Sequence, residues 1–355
     1  MVQAGAIAVL VAALMLALSM WLAPRIGWVD RPDARKPHER PVPPVGGMAW
    51  LLGLLAGVSQ LLLAWTPDLV ALVAGLCGML VVGLWDDLRP LPSTIRLLLQ
   101  ILLATLVCWV GVSQLLGLGA LLGGTAEVSP GGLALPFSVF ALVGVINALN
   151  MADGMDGLSG TYASVCLLAL LLLFGSAERV EAQLALLALL ALVPFLALNL
   201  RLPWQRQARV FFGDAGAMAL GLLLGALLIR GSQLPERAFP PTAALWLFAV
   251  PLIDTVSVML RRLLAGHSPF RPDQQHAHHL LLRAGFSVVG SWALLALAAC
   301  GCAAIGIWFS LTAVPHAVQA VAFLTTGLGF HVWVSRSLRR GRFLGRVLEA
   351  RLSRL

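Results

Sequence analysis

Charged side chains are scarce in this sequence: Asp, Glu, Lys and Arg make up 11% of its 355 residues, against 59% hydrophobic residues. A soluble globular domain carries about 25% charged residues, so this composition excludes an ordinary soluble fold. Long polar stretches are lacking too, since 261–288 is the longest hydrophilic segment between apolar runs. The composition therefore predicts a chain dissolved in lipid, without a separate soluble domain.

Three further absences narrow the class of protein. The five cysteines all fall inside apolar segments without metal-ligand spacing, which argues against a disulfide framework. Basic and aromatic residues are not interleaved on any soluble module, so nucleic acid is not an expected partner. The first apolar segment lacks a preceding basic region and a small-residue cleavage site, which favours a membrane anchor over a signal peptide.

Long apolar segments dominate what is present. A helix needs roughly 20 mainly apolar residues to cross a bilayer. On that criterion we predict an all-α polytopic membrane protein with about 11 transmembrane helices. The predicted spans lie near residues 2–23, 45–65, 68–84, 96–113, 136–151, 158–174, 183–199, 215–229, 242–260, 289–310 and 315–334. Residues 1–334 are expected to form one transmembrane domain, and the arginine-rich segment 335–355 a basic amphipathic tail at the membrane surface.

Basic residues are unevenly divided between the two sides that eleven spans define. Of the 24 Lys and Arg residues, all but Arg179, Arg230 and Arg237 fall on one side. The positive-inside rule therefore predicts an N-terminus outside and a C-terminus in the cytoplasm. All aspartates except Asp68 fall on the cytoplasmic side as well. Because the rule concerns only Lys and Arg, this clustering of acids is an independent signal.

Acidic motifs stand where apolar segments end, and a carboxylate in that position is costly enough to be a functional-site hypothesis. Carboxylates gathered at one membrane face suit a divalent cation with oxygen ligands. The motifs are the pair Asp86 and Asp87, the series Asn147, Asn150, Asp153 and Asp156, the aspartate Asp214 after Phe212-Gly213, and Asp254 in a Pro-Leu-Ile-Asp run.

Each motif also has a structural explanation. The adjacent carboxylates of Asp86 and Asp87 would fit a solvated helix end, although an aspartate there opposes the helix dipole. Helix capping alone would explain Asp214. The series from Asn147 to Asp156 is more specific, because polar residues three apart share one side of a helix. The glycines that follow, Gly154 and Gly157, would let the backbone leave the helix and approach a ligand.

Basic candidates lie in two of the polar loops. The segment containing His276, His278 and His279 has three interpretations: a zinc site, a plain polar loop, or recognition of phosphate or nucleotide. We favour the last, because imidazole and guanidinium groups donate hydrogen bonds to phosphate oxygens. The arginines beside these histidines are Arg261, Arg262 and Arg271. In the loop 24–44, Lys36 and His38 could bind phosphate as well, although a loop that binds lipid headgroups would look similar.

Together, these motifs place carboxylates for Mg²⁺ and basic groups for phosphates at one membrane face. Mg²⁺ is usually bound by one or two carboxylates plus substrate phosphates. Phosphoryl-transfer sites consist mainly of positioning and charge neutralisation. The chemistry that follows is phosphoryl transfer at the cytoplasmic surface, with a lipid-soluble partner.

The ordered motifs resemble those of the polyprenyl-phosphate N-acetylhexosamine-1-phosphate transferases, the bacterial glycosyltransferase 4 family. The matching residues are Arg35-Lys36-Pro37-His38, Pro43, Gly46-Gly47, Asp86-Asp87 with Gln100, Asn147 to Gly157, Phe212-Gly213-Asp214 with Gly216, Pro251, Asp254, Arg262, Gly266, Ser268-Pro269-Phe270, Asp273 and His276 to His279. The resemblance implies transfer of a sugar 1-phosphate from a cytoplasmic UDP-N-acetylhexosamine to undecaprenyl phosphate, with release of UMP. It also implies the bacterial inner membrane, contact with membrane lipids and a homodimer.

The resemblance also assigns roles to residues. It implies an active site formed by the loops 24–44, 85–95, 152–157, 200–214 and 261–288. Asp214 and Asp86 would bind Mg²⁺, with Mn²⁺ as a substitute. The catalytic set would be Asp86, Asp87, Asp153 and Asp156. The substrate-binding set would be Lys36, His38, Arg96, Asn147, Asn150, Arg262, Arg271, His276, His278 and His279.

Two departures from the family pattern bear on these roles. A lysine usual after the aspartate pair is replaced by Thr94, which leaves Arg96 as the nearest cation. The serine usual after Gly216 is Ala217, which removes a hydroxyl from the metal region.

Three rival functions remain open on the sequence. Leu280 follows His279 where the muramoyl-pentapeptide transferases carry a longer His-rich element and an acid, which favours the N-acetylhexosamine branch and O-antigen or other surface glycans. An ion-coupled transporter would place its ionisable groups near the bilayer midplane. An inactive lipid-binding scaffold would not need aspartates at every motif.

Overall fold

The computed structural model describes residues 1–31, 40–61, 65–110, 113–176, 179–233, 237–269 and 274–340, without the side chains of 339 and 340. Every named element in these ranges is a helix. The helices are α1 (Val2–Leu22), α2 (Gly46–Val58), α3 (Pro67–Leu88), α4 (Ser93–Val110), α5 (Ala134–Ala152), α6 (Leu158–Phe174), α7 (Val180–Asn199), α8 (Gly213–Gln233), α9 (Pro241–Leu247), α10 (Ala249–Leu264), α11 (Ala277–Arg283), α12 (Val288–Leu311) and α13 (His316–Arg340).

The predicted all-helical membrane class is confirmed. In the described part of the chain, eight helices are long and apolar enough to cross a membrane: α1, α3, α4, α5, α7, α8, α12 and α13. Helices α9 and α10 meet at an angle of 85° and count as a ninth span if they are taken together. The helices α2 and α6 are apolar but shorter. Of the predicted tail, residues 335–340 continue α13 and 341–355 lie outside the described residues.

Helix α8 forms the centre of the bundle. In its most apolar stretch, 94% of the residues are buried inside the protein. It packs mainly against α3 and α5, and small residues make this approach possible, because a Cβ at Gly221 would lie 2.7 Å from the Cα of Ile146 in α5. Small residues at helix contacts are typical of membrane bundles. Both ends of α8 are therefore held at fixed places in the fold.

The end of α8 opposite Asp214 is fixed by a cluster of three charges. The Arg230 Nη1 atom lies 2.7 Å from Asp68 Oδ2 in α3, and its Nη2 atom lies 2.6 Å from Glu181 Oε1 in α7. The side chain of Arg230 is 12% exposed and that of Glu181 only 7%. The cluster therefore ties α3, α7 and α8 together at the end of the bundle away from Asp214.

Replacing this arginine should destabilise the bundle strongly. Arg230→Met leaves two carboxylates without their cation, and loss of one partner of a buried ion pair costs about 3–5 kcal/mol. We expect a large fall in the denaturation midpoint of the purified protein. The matched control is Arg237→Met, because Arg237 pairs with Glu127 in a half-exposed loop and such pairs contribute about 0–1 kcal/mol. Equal destabilisation by both variants would contradict this account.

Candidate active site

A cavity of about 930 Å³ lies where α3 and α5 end and α8 begins. The predicted site residues on its wall are Asp86, Asp87, Arg96, Asp153, Asp156, Asp214 and His279. Six further polar residues on the wall were not among the predicted site residues: Asp30, Ser93, Asn199, Arg201, Gln274 and Arg283. Five of the aspartates from separate sequence motifs thus meet in one place, with arginines around them.

Asp87 holds the first turn of α8. Its Oδ1 accepts a hydrogen bond from the Asp214 backbone N–H at 2.9 Å, and its Oδ2 accepts one from Ala215 at 3.3 Å. These N–H groups have no partner within the helix, so a carboxylate is favourable there. Gly213 adopts a φ of +79°, and a Cβ on it would lie 2.7 Å from Asp87 Oδ2. Asp87 of α3 therefore caps α8. Asp214 does not have the capping role that its position in the sequence suggested.

Asp86 and Asp214 share one arginine. The Arg96 Nη1 atom lies 2.5 Å from Asp86 Oδ2 and 3.9 Å from Asp214 Oδ2. Asp86 is only 7% exposed, and its Oδ1 accepts a hydrogen bond from the Leu91 N–H at 2.7 Å. Arg96, the cation expected nearest to the aspartate pair, thus contacts both carboxylates that are predicted to bind the metal. Of the two departures from the family pattern, Thr94 is exposed and Ala217 is fully buried, and neither lines the cavity.

The two asparagines of the third motif have different surroundings. Asn150 donates from Nδ2 to Asp214 Oδ1 at 2.6 Å, which fixes the orientation of that carboxylate. Asn147 donates to Gln100 Oε1 of α4 at 2.7 Å and to the Val143 carbonyl at 2.9 Å. Asn147 does not line the cavity, so the structure joins it to a contact between helices.

The two aspartates of the same motif lie beyond the end of α5 and so do not continue the helical polar strip. Asp153 follows Ala152 directly and accepts a hydrogen bond from the Ser159 hydroxyl. Burial raises the pKa of the Asp153 carboxyl to about 7, with the charges of Asp214 and Asp156 adding to the rise and the Ser159 bond opposing it. This carboxyl group can therefore carry a proton near neutral pH.

Asp156 fastens the α5–α6 loop to the loop that precedes α8. Its Oδ2 lies 2.7 Å from Arg201 Nε and accepts from the Ala208 N–H at 3.2 Å. Asn199, 5% exposed, accepts from the Gly157 N–H and donates to the Val210 carbonyl, both at 2.7 Å. Asn199 and Arg201 thus join the two loops. In the sequence, the one feature that could have indicated Asn199 and Arg201 is that two polar residues stand at the end of a long apolar segment.

Residues 276–279, which contain the three histidines and are called the histidine element below, pack against the α5–α6 loop at Gly154. His279 lines the cavity, and the ring centroids of His278 and His279 are 4.1 Å apart. His278 is 2% exposed, and its Nε2 atom is buried without a hydrogen-bond partner. Burial, together with the neighbouring His279 and His276, holds the pKa of His278 well below its usual range, so the ring is neutral at pH 7.

The remaining basic candidates are not part of the described cavity wall. Arg262 is buried, at 6% exposed, and donates to the Pro269 carbonyl, which stabilises the turn after α10. Lys36, His38 and Arg271 lie outside the described residues, so their predicted roles stay predictions.

The contact between Gly154 and His278 gives a direct test of how the loop and the histidine element fit together. A Cβ at Gly154 would lie 2.6 Å from His278 Nε2, so this glycine admits the histidine ring. Gly154→Ala should displace the ring and lower turnover about 10- to 100-fold, since small misplacements in active sites have effects of that size. Steady-state turnover of the purified variant measures the effect. Gly301→Ala, where a Cβ meets nothing within 4 Å, is the control, and full activity of Gly154→Ala would contradict the expectation.

The residues of the cavity fit a magnesium ion that arrives with a phosphate ligand. No three Asp, Glu, His or Cys side chains within the described ranges are arranged to hold a metal alone. Mg²⁺ needs only one or two carboxylates when substrate phosphates and water complete its shell. Asp86 and Asp214 could supply those oxygens, because their carboxyl groups interact with each other beside Arg96.

Sequence comparisons identify the family to which the chain belongs. Residues 69–232 match the family described as glycosyl transferase family 4, and the chain belongs to that family. A relative from Salmonella typhi, an undecaprenyl-phosphate alpha-N-acetylglucosaminyl 1-phosphate transferase, is 34% identical over 93% of this chain and 90% of its own length. Relatives of the same name from Pasteurella multocida and Escherichia coli K12 are 32% and 33% identical, over 92% of this chain and 91% and 89% of theirs. The predicted family is confirmed.

Proposed function

We propose that this protein transfers N-acetylhexosamine 1-phosphate from a UDP-sugar to undecaprenyl phosphate, releasing UMP. The observation that carries the proposal is the meeting of Asp86 and Asp214 at Arg96, at the first turn of α8 that Asp87 caps. Relatives that match over about nine-tenths of the chain are named for transfer of an N-acetylglucosaminyl 1-phosphate group to undecaprenyl phosphate, so we propose UDP-N-acetylglucosamine as the donor. The product would be a lipid-linked diphosphate sugar that initiates O-antigen or another surface glycan.

The reaction we propose is one displacement at phosphorus. An oxygen of undecaprenyl phosphate attacks the β-phosphorus of the donor, and the bond from that phosphorus to the bridging oxygen of UMP breaks. A phosphate monoester has its second pKa near 6, so the attacking group is largely dianionic at neutral pH and needs little help from a base. The chain's main tasks are then to hold two anionic substrates together and to offset their repulsion.

The described residues can perform these tasks. Asp86 and Asp214 would hold Mg²⁺, or Mn²⁺ in its place, which would neutralise charge on the donor diphosphate. Arg96 supplies a second positive charge beside the same carboxylates. Asp87 keeps Asp214 in place through the backbone of α8, and Asn150 orients its carboxylate. Arg201, Arg283 and His279 stand on the wall of the cavity where the nucleotide sugar would lie.

We propose a membrane topology that places this cavity at the cytoplasmic face of the bacterial inner membrane. The eight long helices, the bent α9–α10 pair and the shorter α2 and α6 would make eleven crossings. The N-terminus would then lie outside and the C-terminus inside, as the distribution of Lys and Arg favours. A homodimer stays a prediction from the family resemblance.

The rival functions have less support. Asp86, Asp87 and Asp214 lie at helix ends. An ion-coupled transporter would instead place such residues at broken helices near the centre of the bundle. The named relatives are N-acetylglucosaminyl 1-phosphate transferases, which favours that donor over a muramoyl-pentapeptide.

Removal of divalent cations tests the proposal directly. Purified protein given UDP-N-acetylglucosamine and undecaprenyl phosphate should release UMP, and EDTA should abolish the release. Excess Mg²⁺ should restore it, and Mn²⁺ should restore part of it. UMP release that persists unchanged in EDTA would contradict the metal assignment. No release with any UDP-N-acetylhexosamine, from folded protein with Mg²⁺, would contradict the proposed reaction.

A further inference from the structure

Asp254 lies away from the cavity wall, yet it makes two contacts with the histidine element. Its Oδ2 lies 2.8 Å from His276 Nδ1, and its Oδ1 accepts a hydrogen bond from the Ala277 N–H at 2.9 Å. Asp254 belongs to α10 and is 9% exposed, while His276 is 5% exposed. A buried carboxylate with both oxygens engaged on one short segment is a strong anchor, since bonds to an ionised group are stronger than neutral ones.

The anchored segment leads directly to the cavity. Ala277 is the first residue of α11, and its N–H is one of the donors that a helix leaves unsatisfied at its start. The imidazole rings of His276 and His278 are stacked, 5.9 Å apart with 12° between their planes. The ring of His278 contacts that of His279, which lines the cavity. Three imidazole rings therefore connect Asp254 to the cavity.

We propose that Asp254 is a positioning residue: by holding His276 and the start of α11, it fixes His279 on the wall of the active-site cavity. The kinetic part of this inference rests on the proposed function. Because an ionised carboxylate only accepts hydrogen bonds, Asp254 also selects the tautomer of His276 that carries its proton on Nδ1. That consequence can be measured without any turnover.

The substitution Asp254→Asn separates positioning from a merely structural contribution. The amide keeps the size of the side chain and one oxygen for the Ala277 N–H, but it presents N–H donors to His276 Nδ1. The imidazole must then move or adopt the opposite tautomer. We expect kcat/KM for the UDP-sugar to fall about 100-fold, because small misplacements of active-site groups cost that much. The KM for undecaprenyl phosphate should stay unchanged.

Steady-state kinetics with the UDP-sugar and the lipid varied separately test whether Asp254 acts by positioning. The control is Thr242→Val in α9, the helix that forms the bent pair with α10. This change removes a buried hydrogen bond of 2.7 Å between Thr242 and Gln319. It should leave both kinetic constants unchanged. Normal donor kinetics in Asp254→Asn, or an equal loss for donor and lipid, would overturn the proposal. Asp254→Glu, which keeps both acceptor oxygens, is the second variant if Asp254→Asn fails to fold. It should restore folding and bring the donor kinetics back toward those of the wild type. If it does not, the proposal is overturned as well.

Nitrogen NMR of ¹⁵N-histidine-labelled protein tests the anchor independently of activity. At alkaline pH one imidazole should show the Nδ1-protonated form in the wild type, and that signal should be lost or inverted in Asp254→Asn. An identical spectrum in both proteins would overturn the anchoring. If the wild type releases no UMP, the proposed function fails while this spectrum still reports on Asp254 and His276, so the two failures are distinguishable.

Discussion

Asp214→Asn is expected to reduce turnover by at least about 100-fold, the scale observed when one charge-stabilising group is lost from an active site. The substitution removes the charge that Asp214 contributes beside Asp86 and Arg96, where the proposed magnesium ion and the donor diphosphate meet. The bundle should remain folded, because the first turn of α8 is held by Asp87 through backbone N–H groups. UMP release by the purified variant, next to its melting curve, measures both effects.

The control for this variant is Glu127→Gln. Glu127 is an acid in the loop before α5, paired with Arg237, and it does not line the active-site cavity. The change in formal charge is the same, so a general charge effect would lower activity in both variants. Full activity of Asp214→Asn would remove Asp214 from the metal site. Loss of activity together with loss of the folded bundle would show that Asp214 acts mainly through structure.

Gly47→Ala is expected to destabilise the protein by about 3 kcal/mol or more, beyond the usual cost of overpacking. A Cβ on Gly47 in α2 would lie 2.0 Å from the Cα of Gly216 in α8. Gly83→Ala in α3 should have a similar effect, because its Cβ would lie 2.2 Å from the Cα of Ala215. The opposing atoms are backbone, so no side chain can rotate away. Expression level and thermal denaturation in detergent measure the loss, and Asp214 should be displaced with α8.

The control is another glycine within a helix. A Cβ on Gly144 in α5 would meet nothing within 4 Å, so Gly144→Ala should be neutral or stabilise the helix by up to about 1 kcal/mol. Destabilisation by Gly144→Ala equal to that by Gly47→Ala would mean that helical glycines matter here for a reason other than close packing. Wild-type stability of Gly47→Ala would contradict the packing of α2 on α8.

Much of the fold could be predicted because apolar runs are local signals. The span predicted at 158–174 coincides with α6, and the predicted segment 183–199 lies within α7. The bend between α9 and α10 was not predicted, since the apolar pattern continues through residues 242–260 without a break. Helix α11 was missed as well, because seven residues within a polar loop give no clear period and its start is held by Asp254, distant in sequence.

The candidate site, like the fold, could be predicted only in part. Its acidic residues could be predicted, because carboxylates at the ends of apolar segments are conspicuous. Their partners could not, because the contacts join residues far apart in sequence: Asp87 with the first turn of α8, and Asn199 with Gly157. The role expected for Gly154 was also incomplete, since a histidine ring from α11 occupies the space beside it. Sequence therefore indicated the chemistry, and only tertiary structure indicated which residues position it.

In the proposed reaction, the sugar moves together with its phosphate. UDP-N-acetylglucosamine labelled with ³²P at the β-phosphate should be incubated with purified protein, undecaprenyl phosphate and Mg²⁺, and the organic and aqueous phases separated. The label should enter the organic phase in a lipid diphosphate sugar, while an α-phosphate label should stay in water as UMP. A β-label that remains in the aqueous phase as UDP, while labelled sugar enters the lipid, would show simple glycosyl transfer and contradict the account.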